Sequence, residues 1–165
     1  MKKHKQRIKK ISIIMLFFSL GLGLMFSVNA FNQRDLIVYE SAVEKRYISV
    51  YTDIDCGYCR RFHQEIPSLN ESGVTVRYIP FPRAGLNSNS YDKFVSVYCS
   101  RDKQQALSLA KSGVSLPKKN CSNAVKRLYQ QGVKKGIRLT PTIVTDDGDV
   151  ILGYKTAQQL VDILN

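Results

Sequence analysis

Histidine and cysteine are scarce in this 165-residue chain, at two and four, and there are no internal repeats or low-complexity tracts. A structural zinc site usually takes four ligands from two closely spaced knuckles. Here His63 is the only histidine beyond the first ten residues, and Cys99 and Cys121 stand 22 positions apart, so no metal site is expected. Aromatic residues are missing where a nucleic-acid surface would need them. The basic pairs Lys118-Lys119, Lys126-Arg127 and Lys134-Lys135 sit in polar surroundings without interleaved rings, which is the pattern of solvated faces and gives no nucleic-acid partner. Acidic residues are absent from the first 30 positions, and that absence is the first positive signal.

The opening MKKHKQRIKK carries six of the 25 basic residues and is followed by an apolar run, ISIIMLFFSLGLGLMFSV, ending at Val28-Asn29-Ala30. A basic stretch, an apolar stretch and small residues at cleavage spacing make a secretory signal peptide over residues 1–30. The run is also long enough to span a bilayer, so an uncleaved inner-membrane anchor is the alternative. The remaining residues 31–165 have the length of one domain. They hold 19 basic residues against 13 acidic, a mildly basic surface.

All four cysteines lie beyond the leader, in a chain bound for a compartment where disulfides persist. Cys56 and Cys59 pair by local spacing and leave Cys99 and Cys121 as the natural second pair, although four cysteines formally allow three connectivities. A bridge between Cys99 and Cys121 would be worth roughly 3 kcal/mol through unfolded-chain entropy. Bridging Cys56 to Cys59 as a permanent staple would close too short a loop to gain much.

Hydrophobic patterning gives the order strand, helix, strand, helices, strand, strand, helix. DLIVY opens a short edge strand, YISVYT (47–52) a central one, and residues from Cys56 to about Leu69 read as one helix stopped by Ser72-Gly73. VTVRYIPF (74–81) is the next strand. Helical stretches near 91–100 and 102–111 look like an insertion, and a longer helix near 122–136 repeats Val125, Tyr129, Val133 and Ile137 as an apolar stripe. TIVT and VIL around Asp147-Gly148 make a hairpin, and a helix near 156–164 closes the chain. The order implies an α/β protein with a mixed sheet covered by helices.

Cys56-Gly57-Tyr58-Cys59 follows a strand and opens a helix. The first sulfur then lies beside unpaired backbone N–H groups and the positive helix end, which stabilises its thiolate. Cys56 is the expected nucleophile, since such settings lower a thiol pKa to about 3.5–7.5. One turn further in, Cys59 is the expected resolving thiol. Gly57 keeps the approach open to a protein substrate, and Tyr58 covers part of the motif and tunes its surroundings. His63 can polarise the thiols, with an ordinary surface histidine as the plainer reading. Arg60 and Arg61 can favour the thiolate or be a solvated pair.

DLIVY, VYTDIDCGYC, VTVRYIPFPRAGLNSNS, the spaced Cys99 and Cys121, and LTPTIV followed by Gly153-Tyr154 together resemble the bacterial periplasmic disulfide isomerases of the DsbC and DsbG family, from about Asp35 to Leu164. The resemblance implies a thioredoxin-like fold with a helical insertion and a structural disulfide between Cys99 and Cys121. It also implies a cis Thr140-Pro141 bond that sets Pro141 against the redox sulfurs and leaves the Thr140 backbone to pair with an extended substrate. Thioredoxin has a buried acid six residues before its first active cysteine; Val50 stands here, so that proton relay is not expected.

Members of that family carry a dimerisation domain ahead of the catalytic one, and only about five residues separate the expected cleavage site from Asp35. A monomer is therefore expected. The resulting reading is an exported periplasmic thiol:disulfide oxidoreductase acting on protein disulfides, needing no cofactor and, by resemblance, re-reduced by a membrane reductase of the DsbD type. The alternatives are a monomeric dithiol oxidase and a non-catalytic binding module or chaperone.

Overall fold

The computed structural model describes residues 32–165; the leader expected over residues 1–30 lies outside the described residues. After a 3-10 turn at Gln33–Asp35 come strands β1 (Ile37–Tyr39) and β2 (Arg46–Thr52), then helices α1 (Gly57–His63) and α2 (Ile66–Glu71). Strand β3 (Val74–Pro80) leads to helices α3 (Asn89–Tyr98), α4 (Lys103–Lys111) and α5 (Val125–Lys134). The hairpin β4 (Thr142–Thr145) and β5 (Val150–Leu152) is followed by α6 (Ala157–Leu164). The five strands form one sheet in the order β1-β3-β2-β4-β5. Only β2 and β3 run parallel; every other neighbouring pair is antiparallel.

β2 is the central strand because both its faces are apolar. Ile48, Val50 and Tyr51 are all but fully buried. Successive side chains of a strand point to opposite faces. Ile48, Val50 and Thr52 therefore share one face with their β3 partners Val76, Tyr78 and Pro80, while Tyr51 points to the other. The first face carries α1, where Phe62 meets the Tyr78 ring edge-on. The second carries α5: a Cβ placed on Gly132 would stand 3.0 Å from Phe81 and Tyr51 ring atoms. Glycine there lets the helix backbone approach the two rings.

Two expectations need correction. The helix expected from Cys56 to Leu69 is broken into α1 and α2. Pro67 lacks the N–H that the His63 carbonyl would accept, and its ring crowds that carbonyl. The stripe read on α5 also drifts. At 3.6 residues per turn, a spacing of four advances about 40° each step. The side actually buried holds Val125, Leu128 and Gly132, while Val133 is 38% exposed.

Side-chain caps fix the starts of α3, α4 and α6. Ser88, Asp102 and Thr156 each accept a backbone N–H, and Thr156 with Gln159 forms a capping box. Gly148, at φ +94°, turns the β4–β5 hairpin. The inserted helices α3 and α4 pack on each other, and α4 reaches both β1 and α1. Cys99, at the end of α3, is bonded to Cys121 in the loop before α5, closing 22 residues.

Candidate active site

β2 ends at Thr52, and Asp53 turns the chain toward α1. Cys56 is the N-cap residue of α1, with extended dihedrals (φ −84°, ψ 120°), and its carbonyl accepts the Arg60 N–H at 3.0 Å. Its thiol donates to the Thr140 carbonyl at 3.3 Å. Thr140 and Pro141 are joined by a cis peptide and are both buried immediately before β4. Cys59 is fully buried on the inner side of α1, Cys56 is 2% exposed, and neither is disulfide-bonded. Gly57 faces open space and Tyr58 is 64% exposed.

The environment drives the two thiols apart in acidity. Burial pushes Cys56 up, and so does donating to a carbonyl, but the Thr140 side chain, hydrogen bonding from Cys59 and the Arg83 charge outweigh this and hold it below an ordinary thiol. For Cys59 burial prevails over the charge of Lys111 and the hydrogen bonds around it, and the thiol is raised. Cys56 is thus the readier thiolate.

Arg83 is held in place by Asp53. That carboxylate is 3% exposed; one oxygen accepts the Arg83 N–H at 3.0 Å and its Nε at 3.3 Å, the other the Asp55 N–H at 3.0 Å and the Ser90 hydroxyl. Burial raises Asp53, and these donors more than reverse it, so it stays ionised below the usual carboxylate range. Arg60 is occupied elsewhere, on the Ile54 carbonyl and on Asp55, and Arg61 lies over the Tyr154 ring. The charge acting on Cys56 therefore comes from the β3–α3 loop and not from α1.

Sequence reading did not find Asp53, Arg83, Thr52 or Lys111. Their distances to the cysteines are set by tertiary packing. His63 is corrected too. It is half-buried between α1, β3 and α4, with Nδ1 3.2 Å from the Tyr78 hydroxyl and Nε2 2.9 Å from Ser108 Oγ. Burial, helped by the Lys111 charge, lowers it to about 4. At neutral pH it is an uncharged packing residue.

A five-stranded mixed sheet with two thiols at the start of the helix after its central strand is the arrangement of a thioredoxin-like domain. The chain belongs to the thioredoxin-like domain family, which it matches over residues 33–165. Within that family its relatives are the thiol:disulfide interchange proteins DsbC. It is 38% identical to that of Dickeya dadantii over 130 residues, covering 79% of this chain and 55% of the relative. The chain thus spans little more than half the length of this relative. Among solved structures it superposes on a disulfide interchange protein from Neisseria gonorrhoeae with TM-score 0.71 and 26% identity, covering 80% of this chain and 94% of the other. The catalytic domain of Proteus mirabilis ScsC shares the fold with TM-score 0.58 and 21% identity, covering 81% and 89%.

Proposed function

We propose that this protein is an exported thiol:disulfide oxidoreductase that reduces or isomerises disulfides in other proteins through Cys56 and Cys59. The observation that carries the reading is the placement of two unbonded thiols, Cys56 at the start of α1 and Cys59 one turn in, with the Cys56 sulfur 3.3 Å from the Thr140 carbonyl beside the cis Pro141 bond. Cys56 thiolate attacks one sulfur of a substrate disulfide; that S–S bond breaks, and its electron pair leaves on the other substrate sulfur. In the mixed disulfide so formed, Cys59 attacks Cys56 Sγ and releases a reduced substrate. If a second substrate thiol acts first, the substrate leaves rearranged. The second route returns both cysteines reduced, whereas the first leaves a Cys56–Cys59 disulfide that an outside reductant must reopen.

Gly57, Tyr58, Thr140 and Pro141 form the contact surface for the substrate in this reading. The Cys99–Cys121 bridge is structural. Similarity to DsbC proteins, and to a periplasmic thioredoxin-like protein of Salmonella enterica in fold, supports a periplasmic setting. A membrane reductase of the DsbD type would return electrons.

The test is the redox equilibrium of the purified protein in glutathione buffers, with alkylated thiols counted by mass and Cys99 and Cys121 tracked separately. A potential between about −120 and −180 mV supports an oxidising or isomerising catalyst, and one near roughly −270 mV a dedicated reductase. Absence of exchange at Cys56, or exchange that survives Cys56→Ser, would overturn the enzymatic reading.

A further inference from the structure

Helix α4 ends in a lysine that the sequence gives no reason to bury. Lys111 is 3% exposed; its ammonium donates to Thr52 Oγ1 at 2.8 Å and to the Asp53 carbonyl at 3.4 Å, and lies 5.3 Å from the centre of the Tyr78 ring. It forms no ion pair with a carboxylate among the described residues. A buried ammonium without a counter-ion is costly. Of the groups around it able to carry negative charge, Cys59 acts most strongly, ahead of Asp53 and Cys56. The Asp53 carboxylate is itself bonded to Arg83, Ser90 and the Asp55 N–H. Thr52 accepts the Lys111 bond, and Thr52 and Lys111 both act to lower the buried Cys59 thiol.

We propose that Lys111 is a positioning residue for the resolving thiol: anchored on Thr52, its ammonium holds the charge of the Cys59 thiolate that attacks the mixed disulfide. This rests on the exchange reaction proposed above. Thiol with amine and thiolate with ammonium carry the same net charge, so the Cys59–Lys111 pair loses one proton between them as pH rises. In the second form the Cys59 electron pair makes the bond to Cys56 Sγ. The bond from Cys56 to the substrate breaks, and the substrate sulfur departs with its pair and takes a proton from water. The two cysteines are oxidised by two electrons and the substrate disulfide is reduced by two.

The other groups facing Lys111 modulate this without replacing it. Arg60 and His63 come from α1, Asp53 from the end of β2, and Tyr78 from β3. Burial lowers Lys111 to about 8, the attraction of the nearby thiols and Asp53 notwithstanding. Val50 occupies the strand position where thioredoxin has its buried acid, and a cation from the inserted helix serves the same sulfur from the opposite charge sign.

The experiment is an NMR titration of the reduced protein labelled at cysteine 13Cβ, with Cys56 and Cys59 followed separately in wild type, Lys111→Met and Lys111→Gln. Methionine keeps the length and removes the charge; glutamine keeps a donor for Thr52. Both variants are expected to raise the Cys59 midpoint by at least one pH unit, about a tenfold loss of thiolate, and to move Cys56 less. An aromatic disulfide that releases a coloured thiolate reports the two steps. The first release, from attack by Cys56, should change little, and the second, from Cys59, should slow about tenfold at pH 7, in line with that loss of thiolate. An unshifted Cys59 midpoint, equal shifts at both cysteines, or restoration by glutamine overturns the proposal. Because the titration uses no substrate, absence of exchange in wild type would count against the enzymatic function alone.

Discussion

Replacing Asp53 by asparagine removes a negative charge and one of two acceptor oxygens from the loop that joins β2 to α1. Its two oxygens receive four donors, from Arg83 twice, Asp55 and Ser90. If the asparagine oxygen faces Arg83, its NH2 meets Asp55 N–H, a donor that then has no acceptor, while the Ser90 hydroxyl can rotate to accept. The stranded donor costs about 1–3 kcal/mol, and the bonds that remain lose their charge assistance, partly offset by easier desolvation of the amide. The Arg83 guanidinium is about half exposed and adds little. The net loss is about 2–3 kcal/mol at pH 7, or a fall in Tm of roughly 6–15 °C for a domain of this size. Thermal unfolding by circular dichroism from pH 7 down to pH 3 measures it. The folded-state pKa of Asp53 lies below its unfolded value, so the wild-type advantage should be complete above about pH 4 and shrink as pH falls through the folded value. A gap below about 0.5 kcal/mol at pH 7, or one that widens on acidification, would refute the reasoning.

Arg83→Met should raise the pH midpoint for alkylation of Cys56, measured in a Cys59→Ser background; an unmoved midpoint would remove Arg83 from the site. Converting Cys99 and Cys121 together to alanine should lower unfolding free energy by about 3 kcal/mol in denaturant melts, with Cys56 exchange retained. Loss of less than about 1 kcal/mol would mean that the bridge constrains little. His63 should stay uncharged from pH 8 to near 5 by NMR. Since the unfolded chain binds that proton first, His63 should lower stability as pH drops from about 6.5 toward 4, and a midpoint near 6.5 in the folded protein would contradict its placement.

Local signals in the sequence carried most of the architecture. The β-branched runs at 47–52 and 74–81 became β2 and β3, Asp147-Gly148 became the hairpin turn, and Asp102 and Thr156 opened helices where side-chain capping allows it. Pro67 was visible too, yet the apolar spacing of Phe62, Ile66 and Leu69 masked the break it makes. The paired thiols were legible because three-residue spacing after a strand is itself a local pattern. Asp53, Arg83 and Lys111 were not, since each meets its partner across 30 to 59 positions of chain. Burial of a lysine in particular has no local signature: Lys111 is sealed at the end of a short helix whose other lysine, Lys103, is only half-buried, over the Tyr98 ring.

Gly132 and Phe81 occupy one shared volume, with Tyr51 as its third wall. Any larger side chain at 132 must be matched by a smaller one at 81 or 51, because both rings are nearly sealed from solvent and have nowhere to move. Among relatives of this chain the three positions should therefore vary together, and a ring at 81 beside anything bulkier than glycine at 132 would mark a helix that has slid away from the sheet.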